Sequence, residues 1–334
     1  MSEWKLVRLN FGQNKVHFGR LGIGIEETNE RLYSDSLFSA LITAYARLFP
    51  ASAVTNLLEK FQTANNPPFR ISSTFVYQKL EDTIIDYLPK PLRFPCNYPD
   101  EDLQFAKTYK KLKYLPADIW HIWYQKNGFI SSENNSDSSE LIQQSKNKSS
   151  GKLRRAGTFS YGSSFEKMLR PKISVDRITA ATNLYHTGFV QFKNQETQKS
   201  GLYFLIQFPQ PNEKLESDLK AALHLLAETG LGGERSSGAG QFNFEWFNFS
   251  QLNKTWQNIL KSPKLTHHTL ISLFWDSSIT EEFLQNAAYE IQECGGWIAQ
   301  SNIRRQKVRM FAEGSVFSQQ PQGKLVDVTP AELK

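Results

Sequence analysis

Residues 230–240 read GLGGERSSGAG, five glycines set around Arg235, Ser236 and Ser237. A guanidinium and two hydroxyls suit phosphate oxygens or ribose 2′-hydroxyls, and Gly232, Gly233, Gly238 and Gly240 let backbone approach a ligand closely. The order of elements narrows the ligand. A nucleotide P-loop runs from strand through glycines into a helix, whose free amides meet the phosphates. Here a helical pattern precedes the glycines and a strand pattern follows them. The Gly-Lys-Ser/Thr ending is absent, and arginine stands at 235 where a Gly-x-Gly-x-x-Gly fingerprint needs its third glycine. A mononucleotide or dinucleotide site is therefore not expected. Two readings remain, a loop that contacts RNA and a flexible helix-to-strand connector.

The second candidate is basic. Lys152, Arg154, Arg155, Arg170, Lys172 and Arg177 lie close together with Phe159, Tyr161 and Phe165 between them. Cations for the backbone and ring faces for bases make a single-strand binder, although a charge run also reads as a solvated surface. Arg304, Arg305, Lys307 and Arg309 form another cluster, which suits either RNA or a neighbouring subunit. Acid–base chemistry is poorly supplied. His17, with Arg20 nearby, has no evident Tyr, Lys or second His to complete a constellation. His267 and His268 lack metal-ligand spacing. Asp35 suits a helix start, and Asp176 suits local ordering of Arg177. There is no Gly-Gly-Asp-Asp, so cyclase chemistry is not expected. The chain reads as non-catalytic, with no cofactor and no metal.

Composition sets wider bounds. The 334 residues suffice for two domains. A net charge of +6 and a pI near 9.1 suit a polyanionic partner. Cys96 and Cys294 make neither a Cys-x-x-Cys pair nor a disulfide framework, which suits a reducing cytoplasm. No run of eighteen apolar residues and no signal-like N-terminus occurs, so neither export nor membrane insertion is expected.

Periodicity supplies the elements that must position these groups. Trp4 to Phe11 reads as a first strand. A helix follows, beginning at Ser34 or Asp35 as cap, with Leu37, Leu41, Ala44, Tyr45 and Leu48 on its buried face. In residues 214–229, Leu215, Leu219, Ala222 and Leu226 share a face, and Gly230 stands where a C-terminal cap belongs. QFNFEW alternates like a half-buried strand. GLYFLIQF and HTLISLFW read as strands, and EEFLQNAAYEIQE as a helix closed by Gly295 and Gly296. Residues 131–151, rich in Ser, Asn and Gln, read as a mobile loop. The whole suits a two-layer α+β arrangement.

A glycine-rich loop between the last helix and last strand of a ferredoxin-like domain resembles the RAMP superfamily, the repeat-associated RNA-binding subunits of CRISPR systems. HFGRLGIGIEETNERLYSDSLFSAL, YLPKPL, KKLKYLP, PKISVDRITAATNLY and VRMFAEGSVF, in this order along the chain, are similar to subunit four of the type III-A effectors, the Csm complexes. The resemblance implies an α+β fold of two ferredoxin-like (RRM-like) domains with a thumb-like insertion. The expected divisions are 1–130, the loop 131–151, a thumb-like segment 152–190, and 191–334 carrying the glycine loop. It implies a non-catalytic subunit that holds the 5′ repeat-derived tag of CRISPR RNA and joins the large cyclase-nuclease subunit to the backbone RAMP subunits. The expected RNA contacts are His17, Arg20, Lys152, Arg154, Arg155, Phe159, Tyr161, Lys172, Arg177, Gly232, Gly233, Arg235, Ser236, Ser237, Gly238 and Gly240. Backbone amides of the glycine loop are expected to take part, with Gly232 and Gly233 replaceable without loss of fold. The alternatives are a metal-independent repeat-RNA endoribonuclease of the Cas6 type, in which His17 would act, and a module that binds protein alone.

Overall fold

The computed structural model describes residues 2–19, 24–63, 66–99, 103–130, 137–144, 151–261, 266–298 and 303–330. The first half contains β1 (Glu3–Asn10), α1 (Ser34–Leu48), α2 (Ala51–Thr63), β2 (Arg70–Ile71), β3 (Phe75–Leu80) and β4 (Thr83–Pro89). It continues with α3 (Leu103–Lys111), β5 (Tyr114–Pro116), α4 (Ala117–Gln125), α5 (Asp137–Gln144) and α6 (Lys152–Arg155). A long hairpin follows, β6 (Phe165–Val175) with β7 (Thr182–Phe192), then β8 (Gln198–Phe208), α7 (Glu213–Thr229), β9 (Asn243–Asn248) and α8 (Lys254–Lys261). Last come β10 (His268–Thr269), α9 (Glu281–Leu284), β11 (Ile291–Cys294), β12 (Val308–Phe311) and β13 (Val316–Phe317).

One antiparallel sheet, ordered β5-β4-β3-β8-β1-β9, organises these elements, and β2 pairs beside β3 on β8. Its four strands β3-β8-β1-β9, with α1 after β1 and α7 after β8, have the βαββαβ connection of a ferredoxin-like unit. Strands from both expected halves thus share one sheet, and two separate ferredoxin-like domains are not seen among the described residues. Downstream of α8, the paired strands among the described residues make the two-stranded sheets β10-β13 and β11-β12.

The arrangement has three layers, not two. Along β8, Leu202, Phe204, Ile206 and Phe208 enter the core under α1 and α7, while Tyr203 and Leu205 enter a second core with Trp123 of α4 and Trp256 of α8. Burial on both faces explains why this strand is a continuous apolar run and not an alternating one. Arg8 and Asp86 are paired in the second layer at 2.9 Å, and Trp256 Nε1 donates to the same carboxylate at 2.7 Å. The C-terminus of α7 follows the sequence, and its N-terminus adds a cap that the sequence reading did not assign. Asn212 Oδ1 accepts from Leu215 N–H at 3.0 Å, and Gly230 at φ 86° closes the C-terminus.

Four local expectations change. Residues 137–144 of the supposed mobile loop form α5, with Leu141 fully buried. Asp137 accepts from Trp123 Nε1 and Ile130 N–H, and Glu140 accepts from Leu153 and Arg154 N–H. The remaining loop residues, 131–136 and 145–150, lie outside the described residues. The helix expected over EEFLQNAAYEIQE stops at Leu284, because Asn286 turns left-handed at φ 58° and Ile291–Cys294 pairs with β12. Neither Ser34 nor Asp35 caps α1. Ser34 Oγ accepts from Leu273 N–H at 3.0 Å, and Asp35 pairs with Arg305. Both residues tie α1 to the C-terminal segment. Within HTLISLFW only β10 is a strand, and Phe274 adds an isolated bridge to Phe311.

Arg31 and Glu313 make the innermost of these ties. Two guanidinium nitrogens lie 3.2 Å from the carboxylate oxygens, Arg31 Nε donates to Tyr114 Oη at 2.6 Å, and Ser73 Oγ donates to Glu313. Burial opposes the charge on Arg31, but Tyr114 and Glu313 outweigh it and hold the guanidinium pKa well above its ordinary value. Removing one member of such a pair strands the other in a medium that cannot solvate it. Glu313→Gln is expected to lower stability by about 3 to 5 kcal/mol in urea unfolding. The double variant Arg31→Met with Glu313→Leu should lose less than Glu313→Gln alone, and a larger loss in the double would contradict this account.

Candidate nucleic-acid interface

The glycine loop, the hairpin and the segment after β1 meet at one place. Val16 bridges to Val190 of β7, His17 bridges to Gly233, and Gly240 N–H donates to Lys15 O at 2.8 Å. The His17 side chain is only 7 % exposed, and its Nδ1 lies 2.7 Å from Gly188 O, to which it donates. Phe189 packs edge-on against the ring. His17 therefore braces the hairpin against the glycine loop with its ring buried. Arg20 lies outside the described residues.

The glycines divide into two kinds. A Cβ on Gly232 would come within 2.4 Å of His17 O, one on Gly233 within 2.8 Å of His17 Cδ2, and one on Gly240 within 2.3 Å of Leu231 O. Those glycines permit backbone to pack on protein. Gly238 has open space around its Cβ position, although its φ of 78° still favours glycine. The amides of Gly233, Gly238 and Gly240 donate to His17 O, Arg235 O and Lys15 O. These three amides are taken by protein acceptors. What the loop offers outward is its tip, where Arg235, Ser236, Ser237 and Gly238 are all exposed.

The hairpin lies across this loop with two different faces, because side chains alternate along each strand. Met168, Arg170 and Lys172 of β6 stand opposite Phe189, Thr187 and Tyr185 of β7. Lys172 pairs with Glu234 and donates to Ser237 Oγ at 2.9 Å. On the other face Lys167 pairs with Glu30 at 3.0 Å. Burial would raise the Glu30 pKa, but Lys167 outweighs it and holds it below the usual value. Further out on this face, Leu169, Ile173, Val175 and Leu184 are each more than half exposed. Ile178 and Arg177 are exposed in the tip, which Asp176 orders by accepting from Ile178 and Thr179 N–H.

Other expected contacts lie apart from this junction or turn inward. Lys152, Arg154 and Arg155 are on α6, whose backbone is held by Glu140. Tyr161 is not a platform for a base: its ring stacks on Tyr114 at 4.4 Å and meets Tyr87 edge-on. Phe159 packs against the second core. In the other basic cluster, Arg305 pairs with Asp35, Lys307 with Glu293 at 2.8 Å, and Arg304 lies 4.5 Å over the Trp297 ring.

Sequence reasoning missed Glu234, Glu30 and Gly188. Gly188 interrupts the apolar run of β7, and a Cβ there would meet Glu26 O at 2.1 Å. A glycine inside a strand pattern is the available signal for such an approach. The two carboxylates gave none, since their lysines lie far away in sequence. Among the described residues no group of three or more His, Cys, Asp or Glu could hold a metal ion, and no helix is long and apolar enough to cross a membrane.

Known proteins share this architecture. A family model described as the CRISPR Csm4 C-terminal domain matches residues 264–334. The CRISPR system Cms protein Csm4 of Thermococcus onnurineus (strain NA1) is 26% identical over 308 residues, covering 87% of this chain and 83% of that relative. Its counterpart from Streptococcus thermophilus is 23% identical over 339 residues, covering 99% and 94%. The fold matches a chain in a solved Csm3-Csm4 subcomplex of the type III-A CRISPR-Cas interference complex. The TM-score is 0.59 at 20% identity, covering 97% of this chain and 94% of that one.

The two kinds of glycine separate experimentally. Gly240→Ala, which adds a clash with Leu231 O to an unfavourable φ, is expected to destabilise the fold by several kcal/mol. Gly238→Ala should cost about 1 kcal/mol from backbone conformation alone. Thermal unfolding of the two variants checks the order, and equal losses would contradict it.

Proposed function

Since the chain belongs to the Csm4 family, we propose that it is an RNA-binding subunit of a type III CRISPR effector complex that holds the 5′ repeat-derived tag of CRISPR RNA. The observation that carries this reading is the junction of hairpin and glycine loop. It gathers Arg170, Lys172, Arg235, Ser236 and Ser237 on a rigid base, while Arg177 extends the cationic character to the hairpin tip. A backbone that follows this surface would meet cations and hydroxyls, the groups that hold phosphates and 2′-hydroxyls. The opposite hairpin face, with Leu169, Ile173, Val175 and Leu184 exposed, suits burial against protein. A subunit with these two faces can link the RNA-bearing backbone RAMP subunits to the large cyclase-nuclease subunit.

Geometry favours binding over catalysis at His17. A general base must reach the proton it removes, and this imidazole is buried with Nδ1 committed to Gly188 O. Purified full-length chain is expected to leave repeat RNA intact in a metal-free assay. Cleavage that His17→Ala abolished, in a variant that unfolds like wild type, would establish the endoribonuclease alternative instead.

Contacts to phosphate are separable from contacts to protein. In assembled complex, Arg235→Ala should lower the magnitude of the salt slope for tag RNA by about 0.7, with unchanged thermal stability. Tyr161→Ala should do the reverse, costing about 3 kcal/mol of stability and leaving the slope alone. An unchanged slope for Arg235→Ala would remove the loop tip from the RNA site.

A further inference from the structure

The glycine loop carries a carboxylate where an RNA-holding loop should least want one. Glu234 sits just before the exposed tip at φ 58°, a left-handed backbone in a residue other than glycine. It pairs with Lys172 of the hairpin, while Ser237 Oγ accepts from Lys172 at 2.9 Å. Both charged side chains are mostly buried, with 22 % of Lys172 and 17 % of Glu234 exposed. Lys172 also lies 5.7 Å from the centre of the Phe189 ring, beside buried His17. The cation is thus fully answered inside the protein, by an anion and a hydroxyl.

We propose that Glu234 is a phosphate placeholder: in the RNA-free protein it occupies Lys172, and an incoming RNA phosphate displaces it. This inference rests on the reading of the junction as the RNA site. The carboxylate keeps the hairpin docked and the lysine oriented before RNA arrives. When phosphate takes the lysine, one ion pair replaces another and few counterions are released at this position. Lys172 therefore adds orientation while contributing almost nothing to the salt dependence of binding.

The test measures binding of a single-stranded RNA oligonucleotide, carrying the 5′ repeat-derived tag, to purified full-length chain across a salt series. Glu234→Gln is expected to tighten binding up to about fivefold, the scale of one partly exposed ion pair. It should also steepen the salt slope by about 0.7, one phosphate contact on a single strand. Glu234→Asn, which tolerates the left-handed backbone better, should behave the same way and guards against misfolding. In a Lys172→Met background both effects should vanish. Wild-type affinity and slope in both Glu234 variants, weaker binding in both, or the same gain without Lys172 would each overturn the placeholder while leaving the RNA site in place. Absence of any RNA binding by wild-type chain would overturn the RNA site and the placeholder together.

Discussion

The buried pair between Arg31 and Glu313 is the constraint on which the rest of this structure depends. Two charges removed from water are tolerated only when every donor and acceptor around them is matched. Here Tyr114 and Ser73 complete the match. Those partners come from β5, from the turn before β3 and from the turn between β12 and β13, so one electrostatic requirement fixes three distant pieces of chain at once. It also anchors a strap. From Arg31 the chain runs back through Glu30, which holds Lys167 of the hairpin, and Thr28, whose Oγ1 accepts from Phe18 N–H at 2.9 Å. Residues 20–23 lie outside the described residues; before them, His17 bridges to Gly233 of the glycine loop. Residues 28–31 thus touch the hairpin and the C-terminal segment, and Phe18 N–H joins them to the segment under the glycine loop.

Sequence patterns reveal the parts of this fold whose partners are local or periodic. The helix before the glycine loop was legible because Leu215, Leu219, Ala222 and Leu226 recur at helical spacing and Gly230 follows them as a C-terminal cap. The continuous apolar run of β8 was legible as a strand, but not as one buried on both faces, since that depends on α4 and α8 arriving from elsewhere. Segment 137–144 was obscured for a different reason. Its composition offers little apolar surface, yet Asp137 and Glu140 anchor it by accepting hydrogen bonds from Trp123, Ile130, Leu153 and Arg154. A count of apolar side chains misses order created by satisfied carboxylates.

The same distinction separates correct from incorrect readings of the candidate site. The glycine loop stood out because five glycines between helix and strand are rare enough to mark a close approach. Which surface approaches could not be read, because the answer for Gly232 and Gly233 is His17, more than two hundred positions earlier. Tyr161 looked like a base platform since it lies among cations. Its stacking partner, Tyr114, belongs to a strand whose proximity only the sheet order reveals.

Alternation along β6 and β7 gives the hairpin two chemistries in one narrow ribbon. One face presents Arg170 and Lys172 toward the glycine loop; the other presents Leu169, Ile173, Val175 and Leu184 outward. A ribbon whose both faces were to bind RNA would gain nothing from that apolar row, since base stacking favours aromatic rings over aliphatic side chains. A ribbon that touched protein alone would have little use for cations beside an exposed loop of arginine and serines. On the function proposed above, the combination suits an element covered by nucleic acid on one side and by another polypeptide on the other. Ion pairs along β6, Lys167 with Glu30 near the base and Lys172 with Glu234 farther out, brace it against the segment after β1 and the glycine loop, and a braced element loses less entropy on binding.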